Sequence, residues 1–140
     1  MTIHRNNLLL FIAITLCGFT PVSAGFPDVL VNLNYPEYKP LLYDNGYKQI
    51  DDEGINGIIV YRQDATTFAA FERTCSYRGK SECTTVRVDA SGLYMIDPCC
   101  GSTFTFDGGY PTGGPASRPL FQYRTYYADS VIRITDEIIN

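Results

Sequence analysis

Histidine is nearly absent from this sequence. The 140 residues contain one, His4, and it falls in an N-terminal segment that reads as a cleaved leader. Residues 25–140 therefore hold no imidazole. This excludes Ser-His-Asp and Cys-His nucleophile systems, which need a histidine base, and no catalytic residue is expected. Positive charge is also scarce. Eleven Lys and Arg stand against 15 Asp and Glu, a net charge of −4. Such a chain has no electrostatic footprint for nucleic acid. There is no persuasive helical periodicity, no internal repeat, no low-complexity tract and no internal linker. The one long apolar run, residues 8–19, is short for a membrane span.

That run reads instead as the core of a secretory signal. Arg5 supplies the positive start, and Val22-Ser23-Ala24 is a small-residue cleavage site before Gly25. The expected organisation is a signal peptide, residues 1–24, and a single domain, residues 25–140. The mature protein is expected in the periplasm or outside the cell. Cys17 leaves a second route open, lipidation and membrane anchoring; bulky Leu16 just before it argues against that. The expected partner is an unidentified protein or another partner in the envelope.

What remains is rich in β signals. Eleven Tyr, 8 Phe and a hydrophobic share of 45% argue against disorder. Residues 29–34 alternate with a period of two, until Pro36 and Pro40 break the pattern into a loop. Residues 47–50, 57–62, 67–73, 84–88, 93–96, 103–106, 120–127 and 130–134 read as further strands. Turns separate them at Asp44-Asn45-Gly46, residues 51–54, Asp64-Ala65, residues 90–92 and Ala128-Asp129. Nine or ten short strands at this spacing predict an all-β sandwich or barrel.

Four cysteines survive the leader: Cys75, Cys83, Cys99 and Cys100. In an exported chain their default state is disulfide. Two of them sit in a tight turn, Asp97-Pro98-Cys99-Cys100-Gly101-Ser102, ahead of a short strand and a Gly/Pro loop, residues 113–120. An earlier loop reads Thr74-Cys75-Ser76-Tyr77-Arg78-Gly79. The paired loops, about 22 residues apart in this sequence, resemble those of the Rieske iron–sulfur domain family. Gly101, Ser102, Phe104, Gly114-Pro115-Ala116 and Pro119-Leu120 match its second half. The resemblance implies a Rieske-like antiparallel fold. It places two loops at one tip, with Gly114, Pro115 and Pro119 in a loop covering the site.

In that family two Cys and two His hold a 2Fe–2S cluster, each loop giving one of each. The equivalent positions here are Cys75, Tyr77, Asp97 and Cys100. Three of the four donor types differ, and both histidines are missing. The resemblance implies a 2Fe–2S electron carrier; the residues argue for a protein that has lost the cluster and carries no cofactor. By analogy with the family's inter-loop bridge, Cys83 pairs with Cys99. That leaves Cys75 facing Cys100 across the vacated site, where a second disulfide is expected. Zinc is the rival there, with four tetrahedral donors from Cys75, Cys83, Asp97, and Cys99 or Cys100. The expected role is a disulfide-stapled structural or binding module. The alternatives are an electron carrier with nonstandard ligands and a zinc-stapled domain. Arg73 and Arg118, near the loops, are expected in surface salt bridges.

Overall fold

The computed structural model describes residues 22–77 and 85–140. Cys17 and Cys83 lie outside the described residues. The strands run in chain order as β1 Val22–Ser23, β2 Val29–Asn32, β3 Tyr47–Ile50, β4 Ile58–Arg62 and β5 Phe68–Glu72. They continue as β6 Arg87–Val88, β7 Met95–Ile96, β8 Thr103–Phe104, β9 Pro111–Gly113, β10 Gln122–Ala128 and β11 Val131–Ile138. A larger antiparallel sheet has the order β1-β11-β10-β5-β4-β3, with β2 also paired to β11. A smaller sheet has the order β6-β7-β8-β9. This is the all-β architecture that the strand spacing predicts.

The two central strands explain how the sheets pack. Along β4 and β5 successive side chains point to opposite faces. Ile58, Val60, Phe68 and Ala70 enter one core, with Val31, Leu41, Tyr123, Ile132 and Ile134. Ile59, Ala69 and Phe71 enter the other, against Val86, Met95, Phe104 and Leu120 beneath the small sheet. A strand buried on both faces gains nothing from polar alternation. Hence β5 reads Phe-Ala-Ala-Phe-Glu and is buried throughout.

Four local readings are corrected or completed. Residues 36–42, read as a loop, form a 3-10 helix, Pro36–Leu42. Pro36 suits its first turn, where no backbone N–H is needed, and Leu41 drives into the first core. Residues 111–113, not read as a strand and ending at the first residue of the Gly/Pro loop, pair with β8 as β9. The last residues, too few to assign from sequence, extend β11 to Ile138. At the Asp44 turn it is Asn45, not Gly46, that takes positive φ, at 63°. Gly46 is needed for a different reason: a Cβ there would lie 1.8 Å from the Pro40 carbonyl oxygen. The chain passes directly against the end of the 3-10 helix.

β1 falls inside the segment expected to be cleaved. Its two residues pair with Ile138 and Glu137 at the end of β11. Cleavage before Gly25 would remove that pairing and leave the β2–β11 ladder, residues 29–32 against 131–134, in place.

Replacing Gly46 with Ala forces the helix and the β3 turn apart. Urea unfolding of Gly46→Ala is expected to show a loss of about 1–3 kcal/mol, the range for overpacking a tight site. A loss below about 0.5 kcal/mol, typical of surface changes, would mean the contact relaxes freely.

Candidate metal centre

The small sheet and the end of β5 bring the two cysteine loops together. The first loop leaves β5 at Glu72, and Thr74 bridges to Thr85 on the way to β6. The second, residues 97–102, joins β7 to β8. It closes as a tight turn: Asp97 N–H donates to Ser102 O at 2.8 Å and Gly101 N–H to Asp97 O at 2.9 Å. Gly101 takes φ of 76°, a conformation glycine adopts without strain.

The Gly/Pro loop meets this turn at Gly114 and Ala116. A Cβ on Gly114 would lie 2.5 Å from Ser102 Cα, so the covering loop touches the turn backbone directly. Ala116 N–H donates to Ser102 Oγ at 3.1 Å. Ser76 Oγ donates to Arg118 O at 2.6 Å and ties the first loop to the same cover.

Three of the four ligand-equivalent residues meet beneath it. Cys75, Asp97 and Cys100 place a sulfur or carboxylate oxygen each within 4.8 Å of one another. Cys75 and Asp97 are buried, and Cys100 is partly so. Asp97 Oδ1 accepts the N–H groups of Cys99 at 2.8 Å and Cys100 at 3.4 Å. Its Oδ2 is buried with no hydrogen-bond partner among the described residues. Tyr77, the fourth equivalent, is exposed.

The expected Cys75–Cys100 bridge is not formed. Both are free thiols with sulfurs 3.8 Å apart, against about 2.05 Å in a disulfide. The turn explains the gap. Cys100 Sγ is drawn toward Ser102 Oγ at 3.1 Å, and Asp97 lies beside both sulfurs. Cys99 does not belong to this set. It is not a free thiol, and its expected partner, Cys83, lies outside the described residues.

Electrostatics bind the three groups to one another. Burial, then the neighbouring Asp97, pushes the Cys75 thiol up to about 12, although the Tyr77 backbone N–H works against this. Burial alone would raise Asp97. The Cys75 thiol, the Cys99 N–H and the Cys100 thiol and N–H outweigh it and hold the carboxyl below its ordinary value. Both thiols favour the carboxylate by proximity, yet neither makes a well-formed hydrogen bond to Oδ2.

The residue that sets the first loop was missed from sequence. Glu72 is fully buried. Its Oε1 accepts Asn56 N–H at 2.9 Å, Thr74 N–H at 3.0 Å and Thr74 Oγ1–H at 2.8 Å. Its Oε2 accepts Ile55 N–H at 3.0 Å and Tyr123 O–H at 2.7 Å. Burial and this carboxylate raise the Tyr123 phenol well above its ordinary value. An acid closing an apolar strand was the available signal. Arg73 pairs with Asp51, as a surface salt bridge was expected to. Arg118 has no ion pair among the described residues, against expectation.

Neither a family profile nor a curated protein matches the chain. Solved structures do. The ferredoxin of carbazole 1,9a-dioxygenase from Nocardioides aromaticivorans IC177 matches at 18% identity and a TM-score of 0.50, covering 85% of this chain and 100% of that one. A complex of reduced oxygenase and oxidized ferredoxin in carbazole 1,9a-dioxygenase matches at 24% identity and a TM-score of 0.49 over 69% of this chain and 86% of that one. The cyanobacterial plasma membrane Rieske protein PetC3 from Synechocystis PCC 6803 matches at 22% identity and a TM-score of 0.49 over 64% and 84%. At such identities what is shared is fold. The chain has the Rieske-like all-β fold that its cysteine loops suggest.

That fold implies a 2Fe–2S cluster, and the residues present do not fit one. Cys75 stands at a donor position for the first iron and Cys100 at one for the second. In a binuclear cluster these donors lie across two irons and their bridging sulfides. Here 3.8 Å separates them, which leaves no room for that core. No imidazole stands at either position.

Removing the Glu72 carboxylate strands donors that water cannot fully reach, each worth about 1–3 kcal/mol when buried. Glu72→Ala is expected to lower stability by about 3 kcal/mol or more in urea unfolding. It should also raise amide exchange at Thr74 and Cys75. Unchanged exchange there would show that the first loop is held by other contacts.

Proposed function

We propose that this protein is an exported Rieske-fold module that carries no 2Fe–2S cluster and acts by binding, with a protein of the envelope as its partner. The observation that carries the reading is the donor set at the tip: Cys75, Tyr77, Asp97 and Cys100, with a sulfur–sulfur distance too short to span a binuclear core. A Cys83–Cys99 disulfide joins the two loops in this reading. It would stabilise the fold by about 2–4 kcal/mol, mainly by restricting the unfolded chain, and so replaces the cluster as a staple. No catalytic role is assigned, since residues 25–140 contain no histidine base.

The absence of an electron-transfer centre is directly measurable. Protein purified anaerobically from the exported fraction is expected to be colourless, without stoichiometric iron or inorganic sulfide. Two irons and two sulfides per chain, with visible absorption bleached by dithionite, would overturn the proposal and make the protein an electron carrier with unusual ligands.

A further inference from the structure

We infer that Cys75, Asp97 and Cys100 form a site for one divalent cation of the zinc class, with three protein donors and one open position. The inference rests on the reading that no binuclear cluster occupies the tip, and it goes beyond that reading by assigning the site a ligand.

Distance is the first support. Zinc binds thiolate sulfur at about 2.3 Å, and two such bonds at the tetrahedral angle put their sulfurs about 3.8 Å apart. Cys75 Sγ and Cys100 Sγ are 3.8 Å apart. The carboxylate donor lies within 4.8 Å of both, close enough to take a third vertex. The spacing that excludes two irons is thus the spacing of one ion.

The second support is Asp97 Oδ2. Asp97 is only 1% exposed, and a buried carboxylate oxygen without a partner is costly. Its other oxygen is already spent on the Cys99 and Cys100 backbone. Oδ2 is therefore the free vertex of a carboxylate whose orientation is fixed from behind. Similar outer contacts hold the sulfurs. The Tyr77 N–H supports Cys75, Ser102 Oγ lies 3.1 Å from Cys100 Sγ, and Ser102 is itself held by Ala116. Contacts of this kind orient metal ligands.

Charge and softness select the ion. As one doubly charged cation enters, two thiol protons leave to solvent. The site then keeps the single negative charge of the carboxylate alone. Two thiolates and one oxygen suit a borderline-soft ion. Calcium and magnesium need more oxygen donors than the site has. A cavity of about 110 Å3, lined by Thr74, Cys75, Ser76, Arg118, Pro119 and Phe121, opens onto Cys75 and offers a way in.

The test uses the full exported protein, purified under argon, stripped with a chelator and titrated with zinc or cobalt(II) alone. One ion per chain is expected. Cobalt should show the intense visible bands of a tetrahedral site and thiolate charge transfer from two sulfurs. Zinc should displace it. Asp97 also shapes the turn, so the informative variant is Cys100→Ala, with its fold checked by circular dichroism. Zinc affinity is expected to fall by more than about 100-fold, and the charge-transfer band by half. Binding that survives Cys100→Ala would overturn the inference. So would no stoichiometric binding to the reduced chain, or a Cys75–Cys100 disulfide in the protein as exported. In each of those cases the cluster-free reading stands; only iron with inorganic sulfide would remove both.

Discussion

A buried carboxylate holds this structure together at its functional end. Glu72 sits where the central strand β5 gives way to the first loop. Taking a carboxylate out of water is expensive unless hydrogen bonds replace the lost hydration. Here five donors from four residues do so: Asn56, Ile55, Thr74 and Tyr123. The segment before β4, the first loop and β10 are locked to one point. Cys75 is one residue beyond Thr74 and inherits its position from that anchor. Gly54 belongs to the same constraint, because a Cβ there would press on Glu72 Oε2 at 3.1 Å.

The second loop is fixed by different means. Asp97 folds the turn around one of its own oxygens, and the covering loop packs backbone to backbone through Gly114 and Ser102. Two separately anchored segments, residues 72–75 and 97–102, deliver two sulfurs and an oxygen to one point. The result is a small acidic site with high burial and a fixed geometry, in which Asp97 is held charged and the Cys75 thiol is held protonated. Pairs of anionic groups at this range favour one charge among them until a cation arrives.

Much of the fold was legible because its signals are local. Residues 47–50 were read as a strand and are one, since Tyr47–Ile50 sits between two turn sequences. The hairpin of β10 and β11 was legible for the same reason, although its turn lies one residue beyond the Ala128-Asp129 read from sequence: Asp129 and Ser130 take φ of 51° and 62°, the left-handed turn it needs. The 3-10 helix was not legible. Two prolines read as breakers, and only the burial of Leu41 against the large sheet makes a helical turn worthwhile. β9 was hidden for a like reason, since a Pro-Thr-Gly strand exists only because β8 offers it an edge.

At the site the sequence alone determined the donor inventory. It showed two thiols and an aspartate at ligand positions, no imidazole, and a Rieske-like order of loops and covering segment. The residue types are read directly from the chain, and the ligand positions and loop order are those the family resemblance implies. Only the tertiary structure decided how the donors meet. Whether Cys75 and Cys100 bond or merely approach depends on a 3.8 Å gap, set by Glu72 on one side and by Asp97 and Ser102 on the other. Whether Tyr77 joins them depends on where the first loop turns outward. Such distances arise from contacts between residues far apart in sequence, and no local pattern encodes them.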